Sequence, residues 1–457
     1  MSSKTLFAKT PPIKLFFIAA IPGAVSMLAS ALYGLLDGIF VGQFLNETAF
    51  AALNLAFPFV VINFSLADLI GLGSAVPIAI SLGKKEEQEA NNIFSCACIM
   101  IVATGALIGG ILYASAPALI GMLGAEGELA HMAVQYMRVY AICSPVTTIV
   151  FAMDNYLRIC GQIKRSFTLN ILMAVIGAVL EFTFLFVFKW GIWGAALATC
   201  SGMLICALLA LYPFLRSRLQ LRFCRPRFSL ELIRQIITCG SPNFLNNIAG
   251  RITSILMNIV LLDMGGPSAV SIYGILMYLG EIVQPILYGV CDSLQPAVGY
   301  NWGAGNYARV KAIEKCCFTA SAIVSVTATI IMLVIPEQLS SLFIKDPTQS
   351  FLTEAGTALQ LFSLTYITRW FSFATQSYMI AVDKPVPASI ISVSTALMFP
   401  LILIGALWPL KLTGLWLNST VTAALAGILA VIVMLKFRKE FNRLQAQSEA
   451  SIPTSDN

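Results

Sequence analysis

The chain has 457 residues, of which 58% are hydrophobic and 11% charged, with a mean hydropathy of +0.84. A soluble domain of this length needs far more charge on its surface, so a water-soluble globular protein is excluded. The formal net charge of +6 sits mainly between apolar stretches, where it is a topology signal and calls for no nucleic-acid partner.

In chain order, twelve apolar stretches are long enough to cross a bilayer as helices. They cover about 14–40, 50–82, 92–115, 131–156, 166–188, 191–215, 236–262, 270–300, 316–336, 352–381, 387–408 and 413–436. Several exceed the minimum length, so tilt or kinks are expected. Barrel strands are shorter and alternate polar with apolar, which this chain does not do. Lys4, Lys9 and Lys14 precede an apolar run too long for a cleavable signal peptide.

Of the 28 Lys and Arg residues, 22 fall in the N-terminus, the even-numbered loops and the C-terminus. Odd-numbered loops hold only Lys189, Lys345 and Lys411, and Arg138, Arg251 and Arg369 fall inside spans. This asymmetry places both termini and the even loops of a multi-pass membrane protein in the cytoplasm.

The sequence repeats itself. Pro77–Gly83 is answered by Pro296–Gly303, Tyr156–Gly161 by Tyr378–Asp383, and Gly191-Ile-Trp193 by Gly414-Leu-Trp416. The spacing predicts an all-α polytopic protein with two six-helix repeats, or lobes, around a central cavity, which is the layout of a transporter. The expected domains are a lobe at 1–215, a basic cytoplasmic linker at 216–235, a second lobe at 236–444, and a polar, disordered tail at 445–457.

Cofactor chemistry finds no support. Eleven Cys are scattered, Cys96-x-Cys98 and Cys316-Cys317 lack zinc spacing, and His131 is the only histidine. No nucleotide loop or nucleophile motif occurs, so no enzyme and no ATP-driven step is encoded.

Ionisable residues inside apolar spans are costly, so each one asks for an explanation. They are Asp37, Asp68, Asp154, Glu181, Glu281 and Asp292, with the three arginines named above. Asp154 and Asp292 lie toward cytoplasmic ends, where solvation competes as an explanation. Asp37 and Glu181 fall late in outward-running spans, at similar depth. Two carboxylates at one depth invite a shared cation, either a proton or Na⁺. Tyr33 precedes Asp37 by four residues and shares its helix face; its hydroxyl either bonds the carboxylate or belongs to an interfacial aromatic belt. Pro22 removes a backbone hydrogen bond within the first span and is a candidate hinge. Asn63 and Ser65, beside Asp68, form a polar face that is equally well explained as structural.

These residues carry a resemblance. The runs Pro22-Gly-Ala, Leu32-Tyr33-Gly-Leu-Leu-Asp37-Gly, Leu294–Asn306 and Gly191-Ile-Trp-Gly-Ala-Ala-Leu-Ala-Thr199 resemble the multidrug and toxic compound extrusion (MATE) family of bacterial antiporters, over roughly residues 14–440. The resemblance implies a two-lobe, twelve-helix fold. It also implies export of organic, often cationic and amphipathic, compounds in exchange for H⁺ or Na⁺. It matches Asp37 to the family's first-helix acid, Tyr33 to the tyrosine one turn earlier, and Thr199 to the threonine closing its small-residue run. Two positions depart from the family. Gly177 stands where members often carry Asn, four residues before the acid kept here as Glu181, and Asp154 stands where they carry Asn. Arg251 stands about where sodium-coupled vibrio-type members have an acid. A first-lobe coupling site built from Asp37, Glu181, Asp154, Tyr33 and Thr199 is therefore expected, closer to the DinF-like branch, with Na⁺ at Asp37 and Glu181 as the one metal-ion option.

The main competing reading is a lipid-linked oligosaccharide flippase of the wider superfamily, which needs a basic cavity for its pyrophosphate; Arg138, Arg251 and Arg369 are its candidates. A channel would show a filter sequence, and none is present. The expected partners are small organic substrates and the lipid bilayer, with the chain acting as a monomer. The sequence leaves the substrate-contacting residues open.

Overall fold

Helices account for nearly all of the described chain in the computed structural model, which covers residues 3–45, 47–343 and 348–450. After a short α1 (Ser3–Lys9) come α2 (Pro12–Phe44), α3 (Glu47–Gly83), α4 (Glu87–Met122), α5 (Gly127–Ile159), α6 (Ile163–Phe182) and α7 (Ile192–Leu215). The remainder is α8 (Leu230–Asp292), α9 (Gln295–Gly303), α10 (Tyr307–Val334), α11 (Pro336–Ser341), α12 (Gln349–Ser363), α13 (Thr365–Ala381), α14 (Pro385–Val393), α15 (Phe399–Ala406) and α16 (Lys411–Ala450).

Among the described residues, ten helical stretches have the length and apolarity to cross a bilayer. One of them, Leu230–Gly303, is two spans. Its ladder breaks at Gly266, which takes φ 66° and ψ −163°, a backbone state that disfavours any Cβ. Pro267 then starts the next segment, as proline does at a helix N-terminus. Another span is cut at Leu364 into α12 and α13, each too short to qualify alone. With both counted, the described residues form the twelve spans read from the sequence. Side chains such as Leu107, Leu208, Ile255, Ile323 and Ile428 are left exposed along these helices. In water they would be an aggregation surface; against acyl chains they are the expected exterior.

The chain forms two compact units. One comprises Met1–Thr10 with Val25–Gly240, and the other Pro11–Ala24 with Ser241–Asn457. The first stretch of α2, including Pro22, thus groups with the second unit, and the rest of that helix groups with the first. Both stretches belong to one uninterrupted helix. In the first unit, α5 is the hub against α3, α4 and α7. Ala49, Ala52 and Ala56, at helical spacing on α3, are fully buried around Tyr136 and Met137. Small residues on one stripe let helix backbones approach closely, which replaces the hydrophobic drive that lipid does not supply. In the second unit, α13 packs on α10 and α16, and Leu261, Ile272, Leu287 and Leu359 are fully buried in its core.

Residues 216–229 are non-helical and lie along α4. The Arg222 and Arg227 backbone amides donate to the Asn91 and Asn92 side chains at 2.7 and 2.8 Å, and the Cys224 amide donates to Ser95 at 3.0 Å. The basic linker is therefore a strap tied to the first unit by backbone hydrogen bonds, and helix resumes at Leu230. At the other end, α16 continues to Ala450, where a disordered tail was expected from Gln445. Gln, Ala and Glu are good helix formers, and they extend an already nucleated helix without cost. Residues 451–457 of that tail, like Lys345, lie outside the described residues.

Candidate functional site

Four of the expected site residues meet in the first unit, on three helices. Tyr33 and Asp37 are one turn apart on α2, Glu181 closes α6, and Thr199 lies on α7. The hydroxyls of Tyr33 and Thr199 share a hydrogen bond of 2.8 Å. Glu181 is fully buried at 0% exposure, and Asp37 is buried at 8%. The two carboxyls act on each other electrostatically, and both act on the Tyr33 hydroxyl. Yet neither oxygen of Glu181, nor Oδ1 of Asp37, has a hydrogen-bond partner among the described residues. Unpaired buried carboxylates cost several kcal/mol each, on the order of what a whole domain can spare. Such a pair is a set of acceptors with the chemistry to take up a cation. A proton needs one oxygen, and Na⁺ would take carboxylate and hydroxyl oxygens together. The donor types present suit both.

Gly177 accounts for how Tyr33 reaches this position. A Cβ on Gly177 would stand 2.8 Å from Cζ and from the hydroxyl oxygen of Tyr33, and 2.9 Å from Cε2. The ring occupies the space that a side chain at 177 would need. The glycine that departs from the family pattern is thus the seat of the tyrosine, and Tyr33 is turned toward Thr199 rather than outward. Half-buried, it is held by the Thr199 hydroxyl and the Gly177 seat, which a belt residue facing the headgroups would not need. Immediately after Glu181 the α6 ladder changes to a π-helical turn, Thr183–Val187. A local π-turn rotates the following residues and often accompanies a functional residue.

Asp154 does not join the cluster. Arg158, at i+4 on the same face of α5, pairs with its Oδ2 at 2.7 Å. Ser166 and Asn170 donate to Oδ1, the latter at 3.0 Å. Arg158 also donates from Nε to Ser166 at 3.0 Å. Tyr136, an α5 residue that does feel Asp37 electrostatically, precedes Asp154 by 18 positions, or roughly 27 Å along the helix. The acid expected at the coupling site is therefore a satisfied ion pair at the other end of the same helix.

Sequence reading missed Tyr136 and Tyr140 on α5. Both are buried, and both lie near Asp37. Their i, i+4 spacing in an apolar span was the available signal. The Tyr136 hydroxyl has no hydrogen-bond partner among the described residues, so it is a further oxygen beside the pair. Pro22 lies in the portion of α2 that groups with the second unit, two residues before the changeover at Ala24.

The remaining span charges are placed as follows. Asn63 donates to Ser144 at 2.7 Å, so the polar face near Asp68 serves packing at least there. Arg138 donates from Nε to the Tyr113 carbonyl at 3.4 Å and lies over that ring at 4.9 Å. This occupies one of the three cations a basic cavity would use. In the second unit, Arg369 donates to Gln284 at 2.8 Å, and Asp292 accepts from Gln295 and Ser377 at 2.9 and 2.7 Å. No group of three His, Cys, Asp or Glu residues suited to a metal ion occurs among the described residues.

A family model named MatE matches the sequence once in each half, over residues 22–183 and 242–404. The multidrug export protein MepA of Staphylococcus aureus (strain N315) is 23% identical over 438 residues, covering 94% of this chain and 95% of that protein. Among solved structures, a MATE protein in the bent conformation superposes with a TM-score of 0.90 at 20% identity, covering 98% of this chain and 99% of that one. The outward-facing conformation of a multidrug resistance MATE family transporter of the MOP superfamily gives 0.89 at 21% identity, covering 97% and 98%.

Proposed function

The chain belongs to the MatE family, and from that premise we propose that it is a secondary antiporter. It exports organic, cationic and amphipathic compounds across the bacterial cytoplasmic membrane in exchange for inward-moving H⁺ or Na⁺. The observation that carries this reading is the Asp37–Glu181 pair, buried, mutually interacting and short of hydrogen-bond donors. The name of the MepA relative, a multidrug export protein, supports export as the direction and drugs as the cargo. A coupling site in the first lobe supports a place near the DinF-like branch. Both termini and the strap at 216–229 are cytoplasmic in this reading, on the strength of the loop charges.

A cation arriving from outside neutralises the pair. To do work it must have different affinity for the two conformations of the transporter, since equal affinity shifts nothing. Tyr33 and Thr199 report the change, because their shared hydrogen bond ties α2 to α7 beside the carboxylates. Pro22 has no amide hydrogen to give to the helix ladder, so α2 bends more easily there than elsewhere. The bend falls two residues before the helix passes from one compact unit to the other.

The deciding experiment is dye efflux from proteoliposomes under separately imposed H⁺ and Na⁺ gradients. Efflux driven by one gradient and lost in Asp37→Asn supports the proposal. Efflux indifferent to both gradients, or retained in full by Asp37→Asn, refutes it. A bending mechanism further requires that Pro22→Ala impair transport while leaving equilibrium substrate binding nearly unchanged. Normal transport by Pro22→Ala, together with one-for-one cation release on substrate binding, would leave direct competition as the mechanism.

A further inference from the structure

The second unit contains a cavity of about 420 Å³ unconnected with the Asp37–Glu181 site. Three helices line it, each through a heptad-spaced face. On α10 the lining residues run Lys311, Lys315, Phe318; on α16 they run Val431, Leu435, Arg438; on α13 they are Phe371 and Tyr378. The charged residues gather toward one end of the cavity, while apolar and aromatic residues line its whole length. Lys311 and Lys315 belong to the first turns of α10, and Arg438 belongs to the last turns of α16, so the three cations gather at one end. Phe318 and Val431 lie seven residues deeper on their helices, about 10 Å along the axis. There Phe318 meets Phe371 edge-on at 5.6 Å; at the charged end Tyr378 meets Phe437, the neighbour of Arg438, at 5.7 Å.

The three cations are exposed, and no ion pair engages them among the described residues. The neighbouring Lys384 shows the contrast, since it is paired with Glu440 at 2.7 Å. One acid, Glu314, lines the cavity, held beside Tyr378 and within the field of Lys311, so the positive charge stands in excess by two. An apolar, aromatic trough that opens between membrane helices, with unpaired cations at its mouth, has the polarity of an anionic amphiphile. Basic pockets between membrane helices at the headgroup level bind anionic lipid by this arrangement.

We propose that this cavity is a binding site for an anionic phospholipid. The phosphate lies on Lys311, Lys315 and Arg438, and an acyl chain lies against Phe318, Phe371 and Leu435. The site clamps α10, α13 and α16 to one another, so occupancy stabilises the second unit. This does not depend on what the protein transports.

The test uses the purified full-length protein in a neutral detergent. It is titrated with phosphatidylglycerol or with phosphatidylcholine of the same acyl chains, and read by native mass spectrometry and thermal unfolding. Phosphatidylglycerol is expected to be retained preferentially and to raise the unfolding temperature more than phosphatidylcholine. The triple variant K311Q/K315Q/R438Q should weaken phosphatidylglycerol binding by roughly a hundredfold, from three basic contacts with an anionic headgroup. The variant K436Q/K439Q removes two cations of α16 that do not line the cavity, and should bind as the native protein does. Equal retention of the two lipids by the native protein overturns the proposal without recourse to any variant. So does equal loss of binding in the triple and the double variant, which would indicate general surface charge. Glycerol 3-phosphate, offered alone, should neither bind comparably nor displace the lipid; if it does, the site serves a small anion and the proposal fails.

Discussion

Two acidic sites in the first unit were both expected at the coupling site, although Asp154 lies toward a cytoplasmic end and Asp37 with Glu181 deeper in apolar spans. Asp154 carries an arginine one turn away and two further donors. Asp37 and Glu181 have each other and the hydroxyls of Tyr33 and Tyr136 nearby, but no cation, and three of their four oxygens have no hydrogen-bond partner among the described residues. Burying a charge is tolerable when its partner is buried with it, and otherwise only when something mobile supplies the compensation. The comparison teaches that depth and isolation in sequence identify costly acids, but the completeness of the partner set separates structure from function.

The largest effect that bears on this contrast is on transport. Asp37→Asn and Glu181→Gln should each reduce cation-driven efflux to the background of empty liposomes, while the unfolding temperature stays level or rises. Removal of an uncompensated buried charge does not destabilise. If either variant unfolds readily, the pair is structural and the contrast collapses.

The opposite pattern is expected at the second site. Arg158→Gln leaves the half-buried Asp154 carboxylate with only Ser166 and Asn170 as donors and should cost about 1 to 3 kcal/mol, read as a lower unfolding midpoint in detergent. Asp154→Asn with Arg158→Gln should recover most of that loss, because no lone charge remains. An Arg158→Gln protein as stable as the native one would show that water already reaches Asp154.

A smaller effect probes the seat of Tyr33. Gly177→Ala places a methyl group 2.8 Å from the tyrosine ring, an overpacking worth about 1 to 3 kcal/mol. Tyr33 must move off Thr199, so transport should fall although no carboxylate has changed. Tyr33→Phe removes only the hydroxyl and should cost about 1 kcal/mol of stability. If Gly177→Ala transports normally and Tyr33→Phe does not, the hydroxyl matters but its position does not. The sidedness of both sites rests on the loop charges. It can be checked without substitution, because Cys224 in the strap is the one cysteine classed as exposed among the eleven. A membrane-impermeant maleimide should label it in broken cells and not in sealed ones; labelling in sealed cells would reverse the orientation.

Much of the fold was legible in the chain because a bilayer imposes its rules residue by residue. Hydropathy over about 20 residues marks a span whatever its neighbours are. The duplication shows in paired motifs, and an isolated acid in an apolar run declares its own cost. Asp154 was assigned wrongly to the coupling site, although Arg158 four residues on offered the signal of a local pair. What the sequence by itself determined is therefore local: twelve spans, two repeats, and a short list of charges that require an explanation. Only the tertiary structure decided which of those charges meet. That depends on how α2, α5, α6 and α7 are rotated about their axes, and on a missing side chain at Gly177 that lets Tyr33 turn toward Thr199. It decided also that the first stretch of α2 belongs with the second unit, although the helix runs through without a break. Helix rotation and grouping are set by long-range packing between spans that are all alike in apolarity, so the pattern within any one span carries no record of them.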